Sequence, residues 1–592
     1  MSLERLRALR EELQRQGVQG FLVPRGDEYQ NEYVPPSEER LAWLTGFTGS
    51  AGLAALANDQ AALFVDGRYT LQAQQQIGDQ PLQQQSLSPS AISAWLCDNL
   101  KTGDALGFDP RLHTEPGLEM LKQRLAERDI RLQPLDSNPI DTLWSDRPAI
   151  PSGPARPHPE VFAGESSHAK RRRIAELLDD KRADALWLAN PEVCAWLFNI
   201  RGSDIPHLPV ALCCALLYRD GSATLYLAAA ATTDALREHL GSEVALVHDK
   251  AELFAEARRQ HLARIWVDPQ LTNCWTLQQL RAMELELILD RDPITGAKAR
   301  KNAVELAGSR AAHERDGAAL CEFLAELPQA INKASADDSF GELEAVQLLR
   351  AKREQREGFT DDSFDSISGY GPNGAIVHYR VSPASSLPMK AEGIYLIDSG
   401  GQYPDGTTDV TRTVALGDFP EQARDHFTRV LKGHIAIATL RFPAGTCGEQ
   451  IDAFARKALW DAGLDYAHGT GHGVGSFLSV HEGPQRIGKV NTNVALEAGM
   501  ILSNEPGFYL TGHYGIRIEN LIFVRESEQH SGFLEFEALT LAPIERRLID
   551  KALLTPAELE WLNAYHRRVR DTLLPLVNEN TQAWLQQATA EI

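Results

Sequence analysis

The sequence predicts a multidomain protein of α/β and α+β class, and three observations carry that expectation. At 592 residues the chain exceeds one ordinary core, and its length suggests about three or four domains. Along its first half, one order of elements (helix, short apolar strand, Trp-bearing apolar segment, Gly-Ser pair) occurs twice. From about residue 297 the composition shifts to long helices followed by strands rich in Gly, Thr and Val.

Residues 3 to 16 read as an amphipathic helix with Leu3, Leu6, Leu9 and Leu13 on one face, ended by Gly17. Gly20 to Pro24 is a short buried strand. A polar stretch, Arg25 to Arg40, leads to Leu41 to Phe47, Gly49-Ser50 and a strand Ala61 to Asp66 that closes on Gly67-Arg68-Tyr69. Helix Lys170 to Leu178, strand Ala185 to Ala189, Ala195-Trp196-Leu197 and Gly202-Ser203 repeat that order. The strands are offset by 165 residues and the Trp and Gly-Ser pairs by 153, so the first copy carries about twelve extra residues, assigned to 25–40. The expected domains are therefore 1–150 and 160–297, related to each other and separated by the Pro-rich linker Ala149 to Pro159. A third domain, 298–545, opens with helices Lys301 to Leu327 and Ser339 to Glu354, and its strands begin near Phe364. Thr555 and Pro556 cap a helical extension, 546–592, whose Trp561, Leu562, Tyr565, Leu573 and Leu574 dock either on their own domain or on a second copy.

Hydrophobic content of 43% with 24% charged residues is that of a soluble globular protein, and the net charge of -22 argues against nucleic acid or an anionic membrane as partner. The seven cysteines show no Cys-x-x-Cys and read as buried thiols of a reducing compartment. The first ten residues have helical period and no long apolar core of a signal peptide, and no run of 18 apolar residues exists, so a cytoplasmic location is expected.

The chemistry is concentrated downstream. Gly393 to Asp398 reads as a buried strand, followed by a Gly- and Pro-containing tip and a returning Thr/Val strand that carries Asp409. If the loop places Asp398 opposite an odd-numbered residue, both carboxylates share a face. By themselves they could equally be two solvated loop aspartates. Three more donors follow in apolar or glycine-rich settings: His472 in His-Gly-Thr-Gly-His-Gly-Val-Gly (468 to 475), Glu505 in Ser-Asn-Glu-Pro-Gly, and Glu519 in Arg-Ile-Glu-Asn. Four carboxylates at apolar strand ends cannot all ionise together, since each like-charge pair at about 4 Å costs roughly 4 kcal/mol at an effective dielectric near 20. Two divalent cations would resolve the conflict. The mostly hard oxygen donors suit Mn²⁺ best, with Co²⁺ or Zn²⁺ possible. His468 and His472 have the i, i+4 spacing of a helical zinc motif, but glycines 469, 471, 473 and 475 disfavour helix, and a loop or strand is expected.

Asp398, Asp409, His472, Glu505 and Glu519, in this order and these settings, resemble the metallopeptidase family of methionine aminopeptidase, prolidase and aminopeptidase P, the pita-bread fold. The chain is most similar to the long, three-domain Xaa-Pro aminopeptidases, which implies two creatinase/prolidase N-terminal-like domains before a pita-bread catalytic domain. The resemblance implies that Asp398 chelates one metal, that His472 and Glu505 bind the other, and that Asp409 and Glu519 bridge them. It implies hydrolysis by a water held between the metals, with Glu505 accepting its proton, and His378, His468 and His481 lining the substrate site. His378 and His481 would act as proton shuttles or carbonyl partners, and Arg68 as a substrate contact. Arg412 and Arg517, beside the ligand strands, would hold carboxylates in place or recognise a substrate carboxylate. The expected partners are peptides with proline at position two and a second copy of the chain in a homodimer. Prolidase is the alternative activity, disfavoured by the tandem upstream domains. A metal-free peptide-binding module on the same fold would have lost ligands, and all five are present.

Overall fold

Each of the two N-terminal copies builds a six-stranded mixed sheet, and both sheets have the same strand order. In the first, the strands are Gly20–Pro24, Gly52–Ala57, Gln60–Val65, Gln83–Ser86, Ala105–Phe108 and Arg131–Pro134. In the second they are Ala185–Leu188, Cys213–Tyr218, Ala223–Leu227, Val244–Val247, Arg264–Val267 and Glu286–Leu289. In both, the fourth, third, second, first, fifth and sixth strands lie side by side in that order. The pairings between the first three strands are antiparallel and the rest parallel, in both sheets. The duplication read from two tryptophans and a few glycines is thus carried by the whole topology.

The computed structural model describes residues 2–333 and 339–592. These form two units: residues up to Pro159 together with Glu165–Thr295, and Glu160–Gly164 together with Gly296–Ile592. Within the first unit the copies are tied by a bridge between Thr114 and Asn273 and by the Asn273 side-chain amide, which donates to Glu28 O at 2.8 Å. The opening helix, Ser2–Arg15, buries Leu6, Leu9 and Leu13, but Leu3 is 63% exposed. At 100° per residue Leu3 lies about 120° around the helix from Leu9, too far to reach the same core.

In the second unit the strand Ile394–Ser399 is central, flanked antiparallel by Ile367–Tyr370 and Val410–Ala415. It is buried throughout, because helices cover it. Phe427, Val430, Leu431 and Ile435 of the helix Gln422–Ala438 share one core with Leu562, Tyr565, Val569 and Leu573 of the C-terminal helix Pro556–Leu573. Each such side chain contributes about 1.5–3 kcal/mol on full burial, so the C-terminal extension packs as part of this core. Thr555 caps that helix by accepting from Glu558 N, and Glu558 returns the bond to Thr555 N, as Thr-Pro-Ala-Glu predicts.

A four-stranded sheet ordered Arg441–Pro443, Phe533–Ala538, Asn520–Glu526, Ile501–Asn504 lies in the same unit. A ribbon pairs Gly507–Leu510 with Tyr514–Arg517. The expected single turn between Asp398 and Asp409 is instead a small second hairpin, Gly401–Tyr403 with Gly406–Thr407, whose outer edge pairs with Asp361–Asp362. Asp409 accordingly precedes the returning strand by one residue.

Candidate metal centre

Asp398 pairs with Thr411 across the central strands, so odd-numbered residues on the returning strand share its face. The parity condition holds, and Asp409, in line with Thr411, points to the same side. Glu519 arrives from the four-stranded sheet: Thr411 Oγ1 donates to Glu519 Oε2 at 2.7 Å, and Glu519 N donates to Thr411 O at 3.2 Å. His472 comes from the short strand Gly471–His472, pressed so closely on the Ser503 backbone that a Cβ at Gly471 would sit 2.0 Å from Ser503 O. That contact explains why the segment is glycine-rich and is not a helix. Ser503 Oγ accepts from His472 N at 2.9 Å and donates to Glu505 Oε1 at 3.2 Å, which sets both residues in register.

One ligand atom each from Asp409, His472 and Glu519 lie within 4.8 Å of one another. His472 Nε2 is 3.5 Å from Asp409 Oδ2 and 3.6 Å from Glu505 Oε1, too long for strong hydrogen bonds but suited to groups sharing a cation. Its Nδ1 lies 3.0 Å from Gly473 O, an acceptor only, so Nδ1 carries the proton and Nε2 offers a lone pair to the cluster.

The electrostatics fit that reading. Burial, followed by the charges of Glu519, Asp398 and Glu505, pushes the Asp409 carboxyl well above the usual carboxylate range. Burial, followed by Asp398 and Glu505, does the same to Glu519. Glu505 is raised to about 7, first by burial and then by Asp398, with Arg517 and His481 opposing. Among the described residues, Asp398 Oδ1, Asp409 Oδ1 and Glu519 Oε1 are buried without a hydrogen-bond partner. Buried carboxylate oxygens that no donor satisfies, beside an imidazole lone pair, make a donor set for divalent cations.

Comparison with known proteins follows from this geometry. The profile of metallopeptidase family M24 matches residues 307–526 and that of the C-terminal region of peptidase M24 matches 532–592. Creatinase/prolidase N-terminal domain profiles match 5–143 and 146–305. The "Probable Xaa-Pro aminopeptidase P" of Neosartorya fischeri is 41% identical over 609 residues, covering 100% of this chain and 92% of its own. The protein of the same name from Aspergillus niger is 40% identical, with 98% of its length covered. The chain belongs to metallopeptidase family M24. The X-prolyl aminopeptidase of Caenorhabditis elegans, described as a cytosolic enzyme with a di-nuclear active site, superposes with a TM-score of 0.94 at 32% identity over 100% of both chains. The Xaa-Pro dipeptidase of Bacillus anthracis covers 64% of this chain at 21% identity with a TM-score of 0.53, a likeness of fold.

In this M24 peptidase the two arginines separate in role. Arg517 Nη2 donates to Asp398 Oδ2 at 2.6 Å, its Nε to Thr411 Oγ1 at 3.0 Å and its Nη1 to the Tyr509 hydroxyl at 2.6 Å. Arg412 bonds no carboxylate. Its guanidinium donates to the carbonyls of Thr411, Glu519, Ala542 and Pro543, to Asn520 Oδ1 and to the Tyr565 hydroxyl. Pairing puts Arg412 one residue from Thr411 and hence on the opposite face from the metal ligands, which is why it fastens backbone and the C-terminal helix. Both arginines are 1% exposed, so neither is presented to a substrate carboxylate.

His468 Nδ1 lies 2.7 Å from Gly469 O and its Nε2 2.9 Å from the Tyr509 hydroxyl, so Tyr509 donates to His468 while accepting from Arg517. His468 Nδ1 is 3.9 Å from Glu505 Oε2. The His481 ring meets that of His472 edge to face, 4.3 Å between centroids. His378 is half-buried and follows Val377, whose carbonyl accepts from Arg517 Nη1 at 3.3 Å. Arg68 lies in the other unit, where it pairs with Asp66 at 2.7 Å and faces the Tyr69 ring. Sequence reasoning missed Tyr509, Thr411 and Ser503. Thr411 was recoverable from its alternation with Asp409 and Thr413; nothing local marks the other two.

Proposed function

We propose that this chain is a metal-dependent Xaa-Pro aminopeptidase, hydrolysing the bond before proline when proline is the second residue of a peptide. The observation that carries the reading is the complete donor set with its unsatisfied buried carboxylate oxygens, in a chain that matches the N. fischeri and C. elegans proteins over its full length. Asp398, Asp409, His472, Glu505 and Glu519 would hold two divalent cations, and four carboxylates with one imidazole favour Mn²⁺. Cations held there supply Lewis-acid activation of water and polarisation of the scissile carbonyl. Glu505, beside Ser503 and His472 in the cluster, accepts the proton of the attacking water. His481, over His472, and His378, next to Val377, hydrogen-bond the carbonyl or deliver the proton to the departing proline nitrogen. His468, held by Tyr509, shapes the proline subsite, and Arg68 is retained as a peptide contact. A prolyl amide has no N–H, so the subsite must grip the ring by shape and not by a hydrogen bond to that nitrogen.

The cytosolic description of the C. elegans protein supports a cytoplasmic location. Among the described residues no helix is long and apolar enough to cross a membrane. The test is hydrolysis of Xaa-Pro and of Xaa-Pro-Xaa-Xaa by metal-stripped protein with and without Mn²⁺. Turnover of the longer peptide that returns with Mn²⁺ is expected. Activity on the dipeptide alone would make the enzyme a prolidase, and activity indifferent to stripping would refute the metal mechanism.

A further inference from the structure

His481 meets His472 edge to face, yet the backbone joining them, Gly473 to Val480, is irregular and glycine-rich. The residue after His481 closes that loop. Glu482 N donates to Gly473 O at 2.8 Å, next to the ligand strand. The Glu482 carboxylate then takes Lys301 Nζ at 2.6 Å on one oxygen and Lys298 Nζ at 2.9 Å on the other, with all three side chains at most 6% exposed.

Both lysines come from the opposite end of the unit's sequence. Lys298 lies in the last turn of the helix Pro293–Ala299. Lys301 follows in a segment already fixed on the catalytic sheet: its N–H donates to Gly499 O at 3.0 Å, and Arg300 bridges Met500 just before the strand that leads to Glu505. The loop glycines belong to the same construction. A Cβ at Gly473 would sit 2.0 Å from Glu482 O, and one at Gly475 would sit 2.9 Å from Glu482 Oε2. The side chain therefore lies across the glycine run that follows His472, and residues larger than glycine there would displace it.

We infer that Glu482, clamped by Lys298 and Lys301, is a positioning residue that fixes His481 against the metal-ligand cluster. The kinetic part rests on the aminopeptidase reading. Three buried charges are a poor stability device, since an apolar set of similar volume often folds as well or better. Here they tie the buried loop that carries His481 to the segment anchored beside the Glu505 strand.

The test is a cycle of variants: Glu482→Gln and the triple Lys298→Met, Glu482→Met, Lys301→Met, each with and without His481→Ala. The triple variant removes the charges together and so avoids stranding a buried lysine. Expected are a kcat on an Xaa-Pro-Xaa-Xaa peptide lower by roughly 10- to 100-fold, unchanged metal content, and no further loss when the same changes are made in His481→Ala. Losses that multiply in the His481→Ala background, or a triple variant with full kcat, would overturn the inference. Hydrogen exchange of the segment 476–485 reads the clamp without activity, and faster exchange there with no change over 501–526 is expected in either variant. Unchanged exchange would overturn the clamp. A wild-type chain that hydrolyses no such peptide would count against the aminopeptidase reading alone.

Discussion

Loading the metal centre should expel protons. Without cations, Asp409 and Glu519 are held well above the usual carboxylate range and Glu505 at about 7. For Glu505 the rise from 4.5 to about 7 makes ionisation inside the fold about 3 kcal/mol harder than in water. The sign follows: a carboxyl raised in the folded state stabilises the metal-free fold below pH 4.5, and that contribution is lost as pH rises through about 7. Cations bind only the ionised carboxylates, so loading near neutrality should release protons, and affinity should rise as pH rises through about 7. Titration calorimetry of Mn²⁺ into stripped protein, in buffers of differing ionisation heat, counts those protons. Release of none at pH 7, with affinity flat from pH 6 to 8, would refute the claim that burial and crowding keep these carboxyls protonated.

Asp409→Ala should abolish peptide hydrolysis while leaving circular dichroism unchanged; retained turnover would refute its proposed role as a ligand. Arg412→Met should leave the ligand carboxylates in place yet destabilise the second unit by about 3 kcal/mol in urea unfolding, chiefly through the buried carbonyls of Glu519 and Pro543, which lose their donor. Tyr565→Phe should have a smaller effect in the same direction.

Much of this site was legible in the sequence, because strand parity and glycine are local rules. Asp398 and Asp409 share a face through the two-residue period of the strand, and glycines 471 and 473 argued against a helical histidine pair. The role of Arg412 was not legible. Alternation with Asp409 places it on the face away from the ligands, but its partners there, Pro543 O, Ala542 O and the Tyr565 hydroxyl, come from distant parts of the chain. Leu3 was misread for a related reason: a four-leucine helix pattern tolerates one member off the buried stripe, and only the sheet beneath decides where the stripe ends. The small hairpin between the aspartates escaped notice because its pairing partner, Asp361–Asp362, lies some forty residues upstream.

The sequence by itself determined the duplication of the α/β domains, the order of the five candidate ligands, and the charge conflict that four neighbouring carboxylates create. Tertiary structure alone decided how the ligands are held. Thr411, Ser503 and Arg517 bond Glu519, His472 and Asp398 from segments distant in sequence, and the Lys298–Glu482–Lys301 cluster joins residues more than 180 apart. Ligand identity is written in residue type, whereas ligand orientation is a matter of hydrogen bonds a few ångströms long between chain segments that only folding brings together.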